Sequence, residues 1–341
     1  MIRDVHRLVM LLRRLSCATL AAVALLACDI TPANADAPIS CTATSNELNF
    51  GTVNLLDTGR QGSTAQITLN CQSTPNTQIL ICVGLQGDPT TGQFGVRHLA
   101  LAGGGGGSAL TFNLYSDAAG LNVWGDVGRL SYPPVTATMT ISPDQEHQNT
   151  VMLTIYGFLA ANQGSLAPGT YDTSSIGGWR LTLAYIAYKG NAPACGSGGF
   201  TTTTSNFKIS AVVQSDCVLN SASEMNFGTV PGILTQNVDT TAAISVTCNG
   251  TPYYVLLGDG QHATSAGGQR RMKGPNGGYV SYELYKDSQR SQRWGDTEAL
   301  GETNTGNGQA QTLTVYGRVP PQPAAPRAGT YTDAVVVTVN Y

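Results

Sequence analysis

The sequence predicts an all-β protein made of two tandem sandwich domains. Three observations support this. Charged residues are only 11% of the chain and Gly reaches 40, whereas long helical proteins are rich in Lys, Glu and Arg. A length of 341 residues suits two domains of ordinary size. The two halves also repeat one another block by block, the signature of a duplicated unit.

Residues 1–35 have the layout of an export signal. Arg3, Arg7, Arg13 and Arg14 form a basic start, and residues 15–27 form an apolar run too short for a membrane span. Ala33-Asn34-Ala35 then supplies the small-x-small cleavage pattern, so the mature chain begins near Asp36. Leu25-Leu26-Ala27-Cys28 resembles a lipoprotein box, which would instead make Cys28 an acylated first residue. Removing residues 1–35 lowers Lys+Arg from 18 to 14 and Asp+Glu from 21 to 19, a net charge of −5. Such a chain has no electrostatic footprint for nucleic acid.

Six cysteines remain after the leader: Cys41, Cys71, Cys82, Cys195, Cys217 and Cys248. An even number in an exported chain implies disulfides. The repeat suggests which pair. Cys41 precedes Asn49-Phe50-Gly51-Thr52-Val53, and Cys217 precedes Asn226-Phe227-Gly228-Thr229-Val230; Phe50 to Cys71 and Phe227 to Cys248 are both 21 positions. Cys41–Cys71 and Cys217–Cys248 are therefore equivalent. Cys82 and Cys195 have no counterparts in the second half and are left for each other.

Further blocks follow in the same order. Leu114-Tyr115-Ser116-Asp117 matches Leu284-Tyr285-Lys286-Asp287, and nine positions after each Tyr comes Trp-Gly-Asp, at Trp124 and Trp294. Tyr156-Gly157 matches Tyr316-Gly317, and fifteen positions after each Tyr comes Gly-Thr-Tyr, ending at Tyr171 and Tyr331. Residues 66–71 and 243–248 alternate as strands do, and residues 150–156 and 311–316 are β-rich. Turn residues separate them at 103–107, Pro133-Pro134, 275–278 and Pro320-Pro321. No stretch of twelve residues has a helical apolar period. About six or seven strands in roughly 150 residues fit a β-sandwich. The expected boundaries are 1–35 signal, 36–195 first domain, 196–216 linker and donor strand, and 217–341 second domain. The Gly- and Thr-rich stretch 196–206 serves as the flexible part.

These blocks resemble the spore coat protein U domain family, which includes pilins of archaic, Csu-type chaperone–usher pili. The resembling residues are the early Cys with Asn-Phe-Gly, Leu-Tyr-x-Asp, Trp-Gly-Asp and the closing Gly329-Thr330-Tyr331-Thr332-Asp333 with its Val/Thr strand at 335–341. The likeness covers nearly all of the second half, and insertions interrupt it in the first. It implies immunoglobulin-like, pilin-like sandwiches, the C-terminal one lacking its last strand. A periplasmic chaperone would fill the gap, and then the N-terminal donor strand of the next pilin subunit, delivered at an outer-membrane usher. The physical reason is that a missing strand leaves an apolar groove and unpaired backbone groups that another chain satisfies.

Several residues take roles in that scheme. Val335, Val337, Val339 and Tyr341 form the strand bordering the acceptor groove, with no further strand expected after them. Residues 36–40 are too short to donate a strand before Cys41. Phe207, Ile209, Ala211 and Val213 share one face of an extended segment and are expected to complete the first domain from within the chain. A subunit that accepts a strand but has none to give resembles a pilus tip adhesin, exported through the periplasm to the surface of a Gram-negative bacterium.

Insertions mark the first domain as the binding domain. Candidate adhesive loop residues are Phe94, Val96, Leu121, Val123, Pro134, Val135, Phe158 and Leu159, suited to an abiotic or host surface. Trp124 and Trp294 are expected to be structural because they recur; Trp179 starts a strand or offers a binding aromatic. Catalysis is not expected. His98, His147 and His262 have no metal-ligand spacing, there is no Gly-x-Ser-x-Gly elbow, and the glycine run at 103–107 lacks a phosphate-binding partner. No cofactor is expected. Alternative readings are a structural coat or shaft subunit and a secreted carbohydrate-binding module.

Overall fold

In the computed structural model, residues 38–104, 109–143, 147–174, 179–230, 233–322, 324 and 326–341 are described. The export signal, the lipoprotein box and part of the glycine run lie outside them. Ile39–Tyr341 pack as one unit holding two sandwiches.

The first sandwich uses β1 (Ser40–Ser45), β2 (Leu48–Val53), β3 (Gly62–Gln72), β4 (Gln78–Leu85), β5 (Arg97–Leu101), β6 (Ala109–Tyr115), β7 (Val135–Thr140), β8 (Gln148–Leu159), β9 (Gly169–Asp172), β10 (Trp179–Tyr188), β11 (Thr201–Phe207) and β12 (Ile209–Val213). One sheet runs β1-β3-β8-β6-β5-β9-β12-β2 and the facing one β11-β10-β4-β7. The alternation read in residues 66–71 appears as burial: Ile67, Leu69 and Cys71 are 0% exposed while Gln66, Thr68 and Asn70 point outward. Cys41 lies directly across from Cys71 in the β1/β3 ladder and is bonded to it.

The second sandwich uses β13 (Cys217–Ala222), β14 (Val238–Cys248), β15 (Pro252–Leu257), β16 (Arg270–Lys273), β17 (Tyr279–Tyr285), β18 (Glu302–Thr305), β19 (Ala310–Val319) and β20 (Val337–Asn340). Its sheets run β13-β14-β19-β17-β16 and β18-β15-β20. Cys217–Cys248 repeats the first bridge, and Cys82–Cys195 ties β4 to the connection after β10.

Two expectations need correction. The first sandwich has twelve described strands rather than six or seven, because several are short and two come from the segment expected to be linker and donor. Thr201–Phe207 is also not a flexible linker: a Thr-rich run has strand propensity, and it pairs with β10 along its whole length.

The sandwiches meet through polar contacts. The Gly250 amide donates to the Leu166 carbonyl at 3.1 Å, and Asn54 donates to the Asp216 carboxylate at 2.7 Å.

Candidate functional site

The repeated motifs anchor each sandwich identically. The Trp124 indole N–H donates to the Val83 carbonyl at 2.7 Å, and the Trp294 indole N–H donates to the Val255 carbonyl at 2.7 Å. Asp117 and Asp287 each cap a turn by accepting backbone N–H bonds, from Leu121 and Asn122 and from Ser291 and Gln292. These bonds hold Asp117 below the usual carboxylate range.

Beneath each Trp lies a fully buried arginine that the sequence reading missed. Arg97 donates to the carbonyls of Gln86 and Trp124 and to Asn113; burial pushes it down to about 10. Arg270 donates to the carbonyls of Gly258 and Trp294 and pairs with Glu283. No sequence signal marked either one, since Arg97 stands beside His98 and Arg270 stands in the run Arg270-Arg271-Met272-Lys273.

A slot in the first sandwich is filled from within the chain. Strand β12 lies between β9, antiparallel, and β2, parallel, with Ile209 opposite Leu48 and Ala211 opposite Tyr171. Phe207, Ile209, Ala211 and Val213 are 0–2% exposed, while Lys208 and Val212 face out. The chain crosses between sheets at Lys208, whose carbonyl accepts the Leu48 N–H at 3.0 Å. One segment therefore closes both sheets.

The matching slot in the second sandwich is open among the described residues. Residues 226–230 correspond to β2 and residues 329–332 to β9. Both keep the shape they have in the filled slot. Gly51 and Gly228 have φ of +70° and +75°, and each N–H bonds at 2.7 Å to the Asn two residues earlier. Thr332 bridges to Lys273 just as Asp172 pairs with Ala100. Phe227 meets Tyr282 at 6.2 Å, as Phe50 meets Phe112 at 6.1 Å. Between these walls no described residue intervenes. A groove of about 1090 Å³ remains, lined by Met225, Phe227, Ile244, Leu284, Tyr331 and Val335 among others. Gly317 brings the back wall close to the ends of the Met225 and Phe227 side chains, which would have to shift to admit a Cβ there.

The expected groove strand is shorter than read, since β20 takes in Val337 and Val339 but not Val335 or Tyr341; Val335 and Val337 line this space, Val339 packs on the core and Tyr341 is 56% exposed. The outer edge of β20 is unpaired among the described residues, whereas its counterpart β10 carries β11 there. One groove wall is polar. Asp333, nearly fully buried, accepts from the Tyr282 hydroxyl at 2.7 Å and the Gln261 N–H at 2.9 Å, and pairs with His262 at 3.0 Å. Burial and that carboxylate push the Tyr282 phenol up.

The candidate adhesive residues divide. Leu121 is 79% exposed and Val96 38%, and Leu130, in the loop after Trp124, is wholly exposed. Val123, Pro134 and Val135 are half-buried. Phe94 turns inward to stack on Tyr132 at 5.7 Å. Phe158 and Leu159 belong to β8 rather than to a loop; Arg60 covers the Phe158 ring at 3.5 Å, and Leu159 packs on the core. Phe94 is buried, and Phe158 and Leu159 are half-buried against neighbouring side chains. Trp179 is buried at the start of β10. Among the described residues no group of His, Cys, Asp or Glu is arranged to hold a metal ion.

Comparison with known proteins places this geometry. Residues 27–175 and 203–338 match the model of the Spore Coat Protein U domain. Protein U of Myxococcus xanthus is 34% identical over 154 residues, covering 41% of this chain and 86% of its own. Among solved structures, the CsuC–CsuE chaperone–tip adhesion subunit pre-assembly complex of Acinetobacter baumannii is 20% identical, with a TM-score of 0.45 over 89% of this chain and all of that one. The CupB6 tip adhesin of Pseudomonas aeruginosa is 13% identical, with a TM-score of 0.44 over 88% of this chain and 93% of its own.

Proposed function

The chain belongs to the Spore Coat Protein U domain family, and from that premise we propose that it is a non-enzymatic end subunit of a chaperone–usher fimbria, the tip adhesin. One observation carries the reading. Of two equivalent slots, the first holds β12 of the same chain and the second is open among the described residues. A preformed apolar groove beside an unpaired strand edge suits strand addition by a partner. A periplasmic chaperone fills that groove first, and the N-terminal strand of the next subunit replaces it after passage through the usher. The donor segment of this chain pairs internally with β9 and β2, which supports a position at the end of the polymer. The first sandwich then faces outward, and its exposed loop leucines meet the surface to which the cell adheres.

The test is to produce the full chain in a bacterial periplasm with and without a Csu-type chaperone. The expected result is a 1:1 complex and a large gain in recovered protein. Recovery of the same amount of stable monomer without the chaperone, and no complex with it, overturns the assignment.

A further inference from the structure

The two slots differ in shape at one point, and the difference specifies the strand that fits the open one. The Leu85 N–H donates to the Gly125 carbonyl at 2.8 Å and the Leu257 N–H to the Gly295 carbonyl at 2.9 Å, so Leu85 and Leu257 hold the same place. Leu181 pairs with Leu85 and Val337 with Leu257. Two residues earlier, Val335 therefore stands where the first sandwich has Trp179.

In the first sandwich that indole is buried, packs edge-on against Phe112 at 5.7 Å, and lies across from the donor residue Phe207. In the second, an isopropyl group replaces the indole. Tyr282 takes the place of Phe112, and its hydroxyl is turned toward Asp333 and cannot swing in to fill the gap without losing that bond. The space vacated by the indole opens into the groove, since Val335 and Tyr282 both line it.

We propose that the strand completing the second sandwich carries, at the position matching Phe207, a side chain bulkier than phenylalanine, best met by the indole of tryptophan. This rests on the slot being an acceptor, as argued above. Residues directly across a ladder have Cβ atoms about 5 Å apart, close enough for one to supply the bulk the other lacks. A strand with phenylalanine there leaves a void beside Val335, and voids in a packed interior are destabilising. The donor segment of this chain is therefore a poor match for its own second groove, which disfavours chains that complete one another head to tail.

The fold supplies the test. In the first sandwich the donor follows its neighbour strand through residues 186–214, and Tyr185 corresponds to Tyr341. A copy of residues 186–214, with Cys195→Ser, appended after Tyr341 of the full chain would offer a donor to the second groove with the same connection. Two versions are compared, one unchanged and one with Phe207→Trp in the copy. Each is also made with Val335→Trp in the groove.

Thermal unfolding of the second sandwich is followed by calorimetry. Both copies should raise its midpoint above that of the unextended chain, and the Phe207→Trp copy should raise it by a few degrees more. With Val335→Trp the order should reverse. Equal midpoints for the two copies on the Val335 groove, or a higher one for the unchanged copy, overturn the proposal even if the Val335→Trp forms fail to fold. If neither copy raises the midpoint, the groove is not an acceptor and the functional assignment falls with it.

Discussion

Phe207 lies directly across from Trp179 where β11 pairs with β10, and both side chains are 1% exposed. This makes a residue outside the first half of the repeat part of its core. Phe207→Ala should destabilise the first sandwich by about 3–5 kcal/mol, the usual cost of emptying a buried aromatic site. Val212→Ala, on the outward face of the same segment at 43% exposure, should stay within about 0.5 kcal/mol. Urea denaturation of the two variants checks this. Equal midpoints would mean that the segment does not complete the first core.

The Cys82–Cys195 bridge closes a span of 113 residues, and Cys217–Cys248 one of 31. Cys195 sits in the connection between β10 and β11, so the bridge holds the donor segment near its slot. In the chain-entropy account, the longer loop contributes about 4–5 kcal/mol and the shorter about 3–4 kcal/mol. The double variant Cys82→Ala/Cys195→Ala should therefore lose more stability than Cys217→Ala/Cys248→Ala. Guanidinium unfolding of both gives the ranking, and the opposite order would refute the tethering role.

What could be read from the sequence follows from how locally each feature is encoded. The duplicated blocks and the strand alternation are short-range, so the two-sandwich architecture and the placement of Trp124 and Trp294 were visible in one dimension. The period-2 face of Phe207, Ile209, Ala211 and Val213 was equally plain. The exact slot was not. It is built from residues 226–230 and 329–333, about a hundred positions apart, and only the sheet order brings them opposite each other. Phe94, Phe158 and Leu159 are apolar and flank insertions, but whether such side chains turn outward depends on partners such as Tyr132 and Arg60 that spacing does not reveal. The buried roles of Arg97 and Arg270 ran against the ordinary preference of arginine for the surface.

Asp88 makes acid stability of the first sandwich pH-dependent. Burial raises its pKa, but bonds from the Thr90 hydroxyl, His98 and the backbone N–H groups of Thr91 and Thr90 outweigh that and bring it to about 2. Its carboxylate also accepts the His98 N–H at 3.0 Å, and its side chain is 0% exposed. A carboxyl whose folded pKa lies below its unfolded value stabilises the fold above the unfolded pKa. That contribution is lost as pH falls from about 4 through about 2. It amounts to roughly 1–2 kcal/mol. Asp88→Asn should be less stable than the parent at pH 7, and the gap should close by pH 2. Urea titrations at both pH values decide this; a gap independent of pH would show that the charge is not the cause.

The adhesive reading places the contact on side chains that do nothing for the fold. Leu121 and Leu130 are 79% and 100% exposed, so folding recovers almost none of the free energy of hiding them from water. Pressed against an apolar surface, each would release area worth about 25 cal/mol per Å². Leu121→Ser with Leu130→Ser should leave the unfolding midpoint within about 0.5 kcal/mol of the parent while cutting retention on polystyrene several-fold, with little change on clean glass. Met152, 62% exposed on the outer face of β8, is the control. If Met152→Ser weakens retention as much as the loop pair does, binding follows total apolar exposure and not the loops of the first sandwich.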